Sequence, residues 1–79
     1  MNKEAIDVYL RVIQINPNNV IANNNLGFAY GCLSQWDNGI KYCQKALDLD
    51  PSFQLAKNNL NWMKDEKSKR LNNPNPFSL

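Results

Sequence analysis

The sequence predicts an all-α protein, four antiparallel helices stacked as hairpins. Three observations carry that prediction. Shifted against itself by 34 residues, the chain brings Ile6 onto Ile40, Pro17 onto Pro51, Ala22 onto Ala56, Asn24 onto Asn58, Asn25 onto Asn59 and Leu26 onto Leu60. Conservative pairs fill the same register: Arg11 with Lys45, Ile13 with Leu47, Ile21 with Leu55 and Phe28 with Trp62. Within each half of the repeat the apolar residues recur at three- and four-residue spacing, and no segment alternates as a half-buried strand would.

The first helix is expected over residues 3–15, where Ala5, Ile6, Tyr9, Val12 and Ile13 share one face. Asn16-Pro17-Asn18-Asn19 ends it, since proline disfavours helix in the residue before it, and either Asn18 or Asn19 can cap the next helix. Residues 20–33 present Ala22, Leu26, Ala29, Tyr30 and Leu33, and a turn at Ser34-Gln35 comes after them. Residues 36–49 present Trp36, Ile40, Cys43, Ala46 and Leu47, and Asp50-Pro51-Ser52 repeats the break and is expected to cap the last helix. That fourth helix, 53–70, carries Ala56, Leu60, Met63 and the stem of Lys67. Residues 72–79 hold two prolines and three asparagines and are expected to form a flexible tail beyond a domain spanning 1–71.

Composition narrows the function. Seventy-nine residues allow one small domain, and a net charge of +2 is too small to argue for nucleic acid. The absence of His removes Ser–His and Cys–His catalysis and every zinc site that uses His. Cys32 and Cys43 lack the spacing of redox or metal motifs and are read as small apolar packing residues. No cofactor, no metal and no enzymatic activity are therefore expected. Charges at Lys3, Glu4, Asp7 and Arg11 interrupt any signal-like stretch, and no window is apolar enough to insert in a membrane. A complete chain is expected to be cytoplasmic; for a fragment the compartment stays open.

Asn23-x₂-Leu26-Gly27-x₂-Tyr30, followed by Gly39-x₃-Cys43, Ala46-Leu47 and Pro51, resembles the tetratricopeptide repeat. Ala5-x₃-Tyr9 with Ile13 and Pro17 matches the second helix of a preceding repeat, and Leu60-Asn61 stands where Leu-Gly opens another. The resemblance covers residues 3–70: a second helix at 3–15, a full repeat at 20–51, and a first-type or capping helix at 53–70. It implies a short right-handed α-solenoid and a protein-interaction role. Three positions depart from the pattern. Asn23 replaces a large apolar residue, Cys43 an aromatic one, and Ser34 a common turn glycine. The first two predict a thinner core; a non-glycine residue held at positive φ costs about 1 kcal/mol. Gly27 has a physical reason of its own, since close approach to the small second-helix residues leaves no room for a side chain.

At 100° per residue, Ala22, Leu26, Ala29 and Leu33 fall on one side of the second helix, with Ile21, Asn24, Asn25, Phe28 and Cys32 on the other. The fourth helix divides the same way, with Leu55, Asn58, Asn59 and Trp62 opposite Ala56, Leu60 and Met63. The resemblance implies that these second stripes line a concave binding surface. Candidate peptide- or partner-binding residues are Asn24, Asn25, Phe28, Asn58, Asn59 and Trp62. An Asn amide both donates and accepts, so it can hold a peptide backbone, and the aromatic rings can receive ligand side chains. Asn25-Leu26 and Asn59-Leu60 resemble the asparagine ladder in the repeat region of the N-acetylglucosamine transferase that modifies proteins. The bland alternative is that Phe28 and Trp62 merely pack helix against helix. A carboxylate clamp for chaperone tails is disfavoured, because the stripes carry no Lys or Arg. The basic residues Lys64, Lys67, Lys69 and Arg70 lie at a helix C-terminus, where they offset the dipole.

The expected function is thus a non-catalytic scaffold that binds an extended peptide or partner protein. Alternatives are the C-terminal repeats of a larger enzyme, such as a glycosyltransferase, and a self-associating assembly module. The first helix lacks its first-type partner and is apolar at Val8, Leu10 and Ile15, which suggests a longer repeat protein or a homodimer through that helix.

Overall fold

The computed structural model describes residues 2–72, with side chains placed for residues 3–70. It comprises α1 (Asn2–Ile15), α2 (Val20–Cys32), α3 (Trp36–Leu49) and α4 (Gln54–Asn72). Among the described residues there is no strand. Helices adjacent in sequence pack together, and α2 also touches α4, so α2 is the one helix in contact with all three others. The fold class is as the sequence predicts. Helix α4 runs to Asn72, past the expected end at 70; the rest of the expected tail, 73–79, lies outside the described residues.

The two proline turns are copies of one another. Asn19 N–H donates to Asn16 O and Phe53 N–H to Asp50 O, each at 3.1 Å. Their side chains differ. Asn19 Oδ1 accepts from Ala22 N–H at 2.9 Å and caps α2. In the second turn Asp50 Oδ1 accepts from the backbone N–H (3.1 Å) and hydroxyl (2.7 Å) of Ser52. The Ser52 hydroxyl thus serves the turn, and Phe53 stands directly before α4, its carbonyl accepting from Lys57 N–H at 3.3 Å.

The turn from α2 to α3 is a Schellman motif. Gln35 N–H donates to Tyr30 O at 3.0 Å and Ser34 N–H to Gly31 O at 2.9 Å. Ser34 sits at φ 60°, the left-handed conformation that glycine adopts without strain.

The core divides into two clusters on either side of α2. Ile6, Leu26 and Ala29 form the first, with Tyr9, Leu10, Ile13, Tyr30 and Tyr42 around them. Cys43, Leu60 and Met63 form the second, with Trp36, Ile40 and Leu47. Helices α2 and α3 cross with backbone on backbone: a Cβ on Gly27 would lie 2.5 Å from Cys43 Sγ and 2.8 Å from Gly39 O. The small residues at 27 and 39 permit this approach, as the sequence predicts.

Two sequence expectations change, and one buried residue gains a role. Leu33 is exposed, since α2 ends one residue before it. Cys32 is exposed too, so only Cys43 is a packing cysteine. Asn23 sets an amide where the repeat pattern has a large apolar side chain. It is buried, and its Nδ2 donates to Pro17 O at 3.1 Å and Asn19 O at 2.8 Å, tying α2 to the turn before it.

Candidate partner-binding face

With α1 and α3 covering one side of α2, its remaining side shares an open face with α4. Ile21, Phe28 and Cys32 on α2 and Leu55, Asn58 and Trp62 on α4 are exposed there, with Asn25 and Asn59 half-buried between them. The four- and three-residue steps from 21 through 25 and 28 to 32 keep these side chains in one row along α2. The steps from 55 to 58, 59 and 62 do the same along α4.

Phe28 and Trp62, one repeat apart, lie with ring centroids 6.0 Å apart at 42°. They remain 45% and 37% exposed, so they pack on each other and still offer ring surface outward. Trp36, from the start of α3, meets Trp62 edge-on at 5.5 Å, and the Arg70 guanidinium lies 5.8 Å from the Trp36 ring. This backing for Trp62 was not among the candidate residues, because Trp36 reads from periodicity as a core position of α3. The indole Nε1 of Trp36 is buried without a hydrogen-bond partner. Nearby, Lys67 pairs with Asp37 and links α4 to α3.

The asparagines take different roles. Asn24 is buried, and its Oδ1 accepts from Asn59 Nδ2 at 3.0 Å, across one repeat. The Cys43 thiol lies against the same amide, with Sγ 3.8 Å from Asn24 Oδ1 and 3.7 Å from Asn24 O. Asn24 thus lies between helices rather than on the open face, since its angle on α2 turns it toward α3 and α4. Asn58 Oδ1 accepts from Gln54 Nε2 at 2.9 Å on the surface. Asn25, Phe28, Asn59 and Trp62 come together on the face; Asn58 flanks them. Burial pushes the Cys43 thiol up to about 11, which keeps it neutral beside the asparagine pair.

No Lys or Arg lies in either row. Among the described residues no three His, Cys, Asp or Glu side chains converge as a metal site, and no helix is long and apolar enough to cross a membrane.

Such an arrangement, repeated helix pairs with an uncharged aromatic and amide face, defines a helical-repeat interaction module. A family profile described as "TPR repeat" matches residues 2–34, and one described as "Tetratricopeptide repeat" matches residues 20–53. The chain belongs to the tetratricopeptide repeat family. It is similar to Hsp70-Hsp90 organizing protein 3 of Arabidopsis thaliana, 40% identical over 50 residues that make up 63% of this chain. The matched stretch spans 9% of that protein's length. Family membership makes the chain a protein–protein interaction module.

Proposed function

We propose that the open face of α2 and α4 binds an extended, largely uncharged peptide segment of a partner protein, and that the chain acts as a non-catalytic scaffold. The observation that carries this reading is the Phe28–Trp62 pair, partly exposed, backed by Trp36 and bordered by Asn25 and Asn59. Apolar ligand side chains would rest on the rings, while the amides hydrogen-bond the ligand backbone. A few residues carry most of the energy at protein interfaces, and Trp is enriched among them.

Similarity to an Hsp70-Hsp90 organizing protein raises the reading that this face grips a chaperone tail. Gripping an anionic chain end calls for Lys or Arg, and the rows of α2 and α4 offer uncharged side chains instead. The uncharged-peptide reading is therefore preferred. Screening the protein against an immobilised peptide library tests both. Apolar and aromatic peptides should be captured by wild type, and Phe28→Ala/Trp62→Ala should weaken that capture by about tenfold or more with helicity unchanged. Asn25→Ala/Asn59→Ala should weaken it as well. Capture that both variants retain, or that is confined to acidic C-termini, rules out the reading.

A further inference from the structure

Helices α1 and α3 both pack on α2, yet no Cα of one comes within 8 Å of a Cα of the other. The gap between them holds a cavity of about 330 Å³ that shares no residue with the α2–α4 face. Cavities of roughly 300–1,000 Å³ are large enough to hold a ligand group. Ile13 of α1 and Pro17 of the first proline turn line one side, Asn23 of α2 the base, and Tyr42 of α3 the other side. Two of these side chains are fixed from behind. Tyr42 stacks on Tyr30, ring centroids 5.8 Å apart at 14°, and Asn23 is bonded to the carbonyls of Pro17 and Asn19.

The edge of the cavity carries charge. Lys41 and Lys45, one helical turn apart on α3, both line it and are exposed. The Lys41 ammonium lies 5.2 Å from the centroid of the Tyr42 ring. Neither lysine is in an ion pair among the described residues, where the pairs run from Lys67 to Asp37 and from Lys69 to Asp65 and Glu66. The one carboxylate in the lining is Asp48, whose Oδ1 accepts from Gln44 Nε2 at 3.0 Å. Two cations therefore stand beside an apolar recess against a single anion. A simple anion would leave the recess unfilled, and a purely apolar segment would leave both ammonium groups without a partner. A segment with both features matches the whole groove.

We propose that the α1–α3 groove is a second interaction surface, which takes an acidic segment of a partner protein. One aliphatic or aromatic side chain of that segment enters between Ile13 and Tyr42, and neighbouring Asp or Glu residues pair with Lys41 and Lys45. The groove is separate from the Phe28–Trp62 face, so this proposal and the peptide-binding reading stand or fall separately.

Fluorescence anisotropy with a labelled peptide, Gly-Ser-Glu-Glu-Leu-Glu-Glu-Ser-Gly, tests it. Wild type should bind this peptide, and binding should weaken as salt is added. Glutamine in place of its glutamates, or alanine in place of its leucine, should each weaken binding by about fivefold or more. Lys41→Gln/Lys45→Gln should do the same with helicity unchanged. Lys57→Gln/Lys64→Gln removes two exposed charges from α4, outside the groove, and should leave binding as it is. Phe28→Ala/Trp62→Ala should also leave it as it is. No binding by wild type, or indifference to the leucine, would overturn the proposal. So would equal losses from the two lysine pairs, loss on Phe28→Ala/Trp62→Ala, or binding seen only once residues 73–79 are removed.

Discussion

At Cys43 one atom replaces an aromatic ring, and the structure shows what fills the space. The thiol sits under Gly27 and beside Asn24, with Leu60 and Met63 completing the cluster. Its raised pKa has a consequence for stability. A thiol held neutral in the fold and free to ionise when unfolded favours folding fully below its ordinary value of 9.0, and that contribution fades as pH rises toward about 11. Chemical denaturation of wild type should therefore show a steeper loss of stability across this window than Cys43→Ala. A thiol reagent near neutral pH should label Cys32 at once, and Cys43 only on unfolding. Asn23 makes the opposite trade, an amide where the repeat pattern has a large apolar group. Its two bonds to backbone carbonyls mean that Asn23→Ala should cost about 1–2 kcal/mol by equilibrium unfolding. Gly27→Ala should also destabilise, by about 1–3 kcal/mol, although alanine is the better helix former, because its Cβ would collide with Cys43 and with the backbone of Gly39.

Among the elements, the helices were legible in the sequence to within two residues at every end, because proline breaks and apolar spacing act locally. The α2–α3 turn was legible too: Ser34 adopts φ 60°, where the pattern has a common glycine. Ser34→Gly should therefore raise stability by about 1 kcal/mol or less, the steric relief being offset in part by glycine's greater freedom when unfolded, and a thermal melt will read it. What periodicity could not assign was which partner each side chain finds. Asn24 and Asn25 are adjacent on one helix, yet one is buried and bonded to α4 while the other borders open surface. That difference depends on where α3 and α4 cross α2, a distance in space that single-helix geometry does not contain. Trp36 was hidden for the same reason. Its spacing marks it as core, and only the approach of α4 sets it edge-on to Trp62.

For the molecule as a whole, α2 joins two cores of different spectroscopic character. All three tyrosines belong to the first cluster, while Trp36 and Trp62 mark the second. If the Gly27–Gly39 crossing and the Asn24–Asn59 bond unite them, tyrosine near-UV dichroism and tryptophan fluorescence should report one coincident unfolding transition. Two separated transitions would show that the repeats melt independently, as stacked units with weak interfaces do.

Under the proposed peptide-binding role, the Asn24–Asn59 bond would also make the face a selective one. Asn59 has already committed one N–H to a neighbour inside the protein, so an incoming chain competes with an intramolecular rival for that donor. A ligand that draws Asn59 away must compensate the buried Asn24 oxygen it strands, whereas one that engages only the remaining amide groups leaves the rung in place. On that proposal the rung would act as a threshold: ligands that fit around it would bind at no such penalty, and those that require its opening would be rejected unless their other contacts are strong.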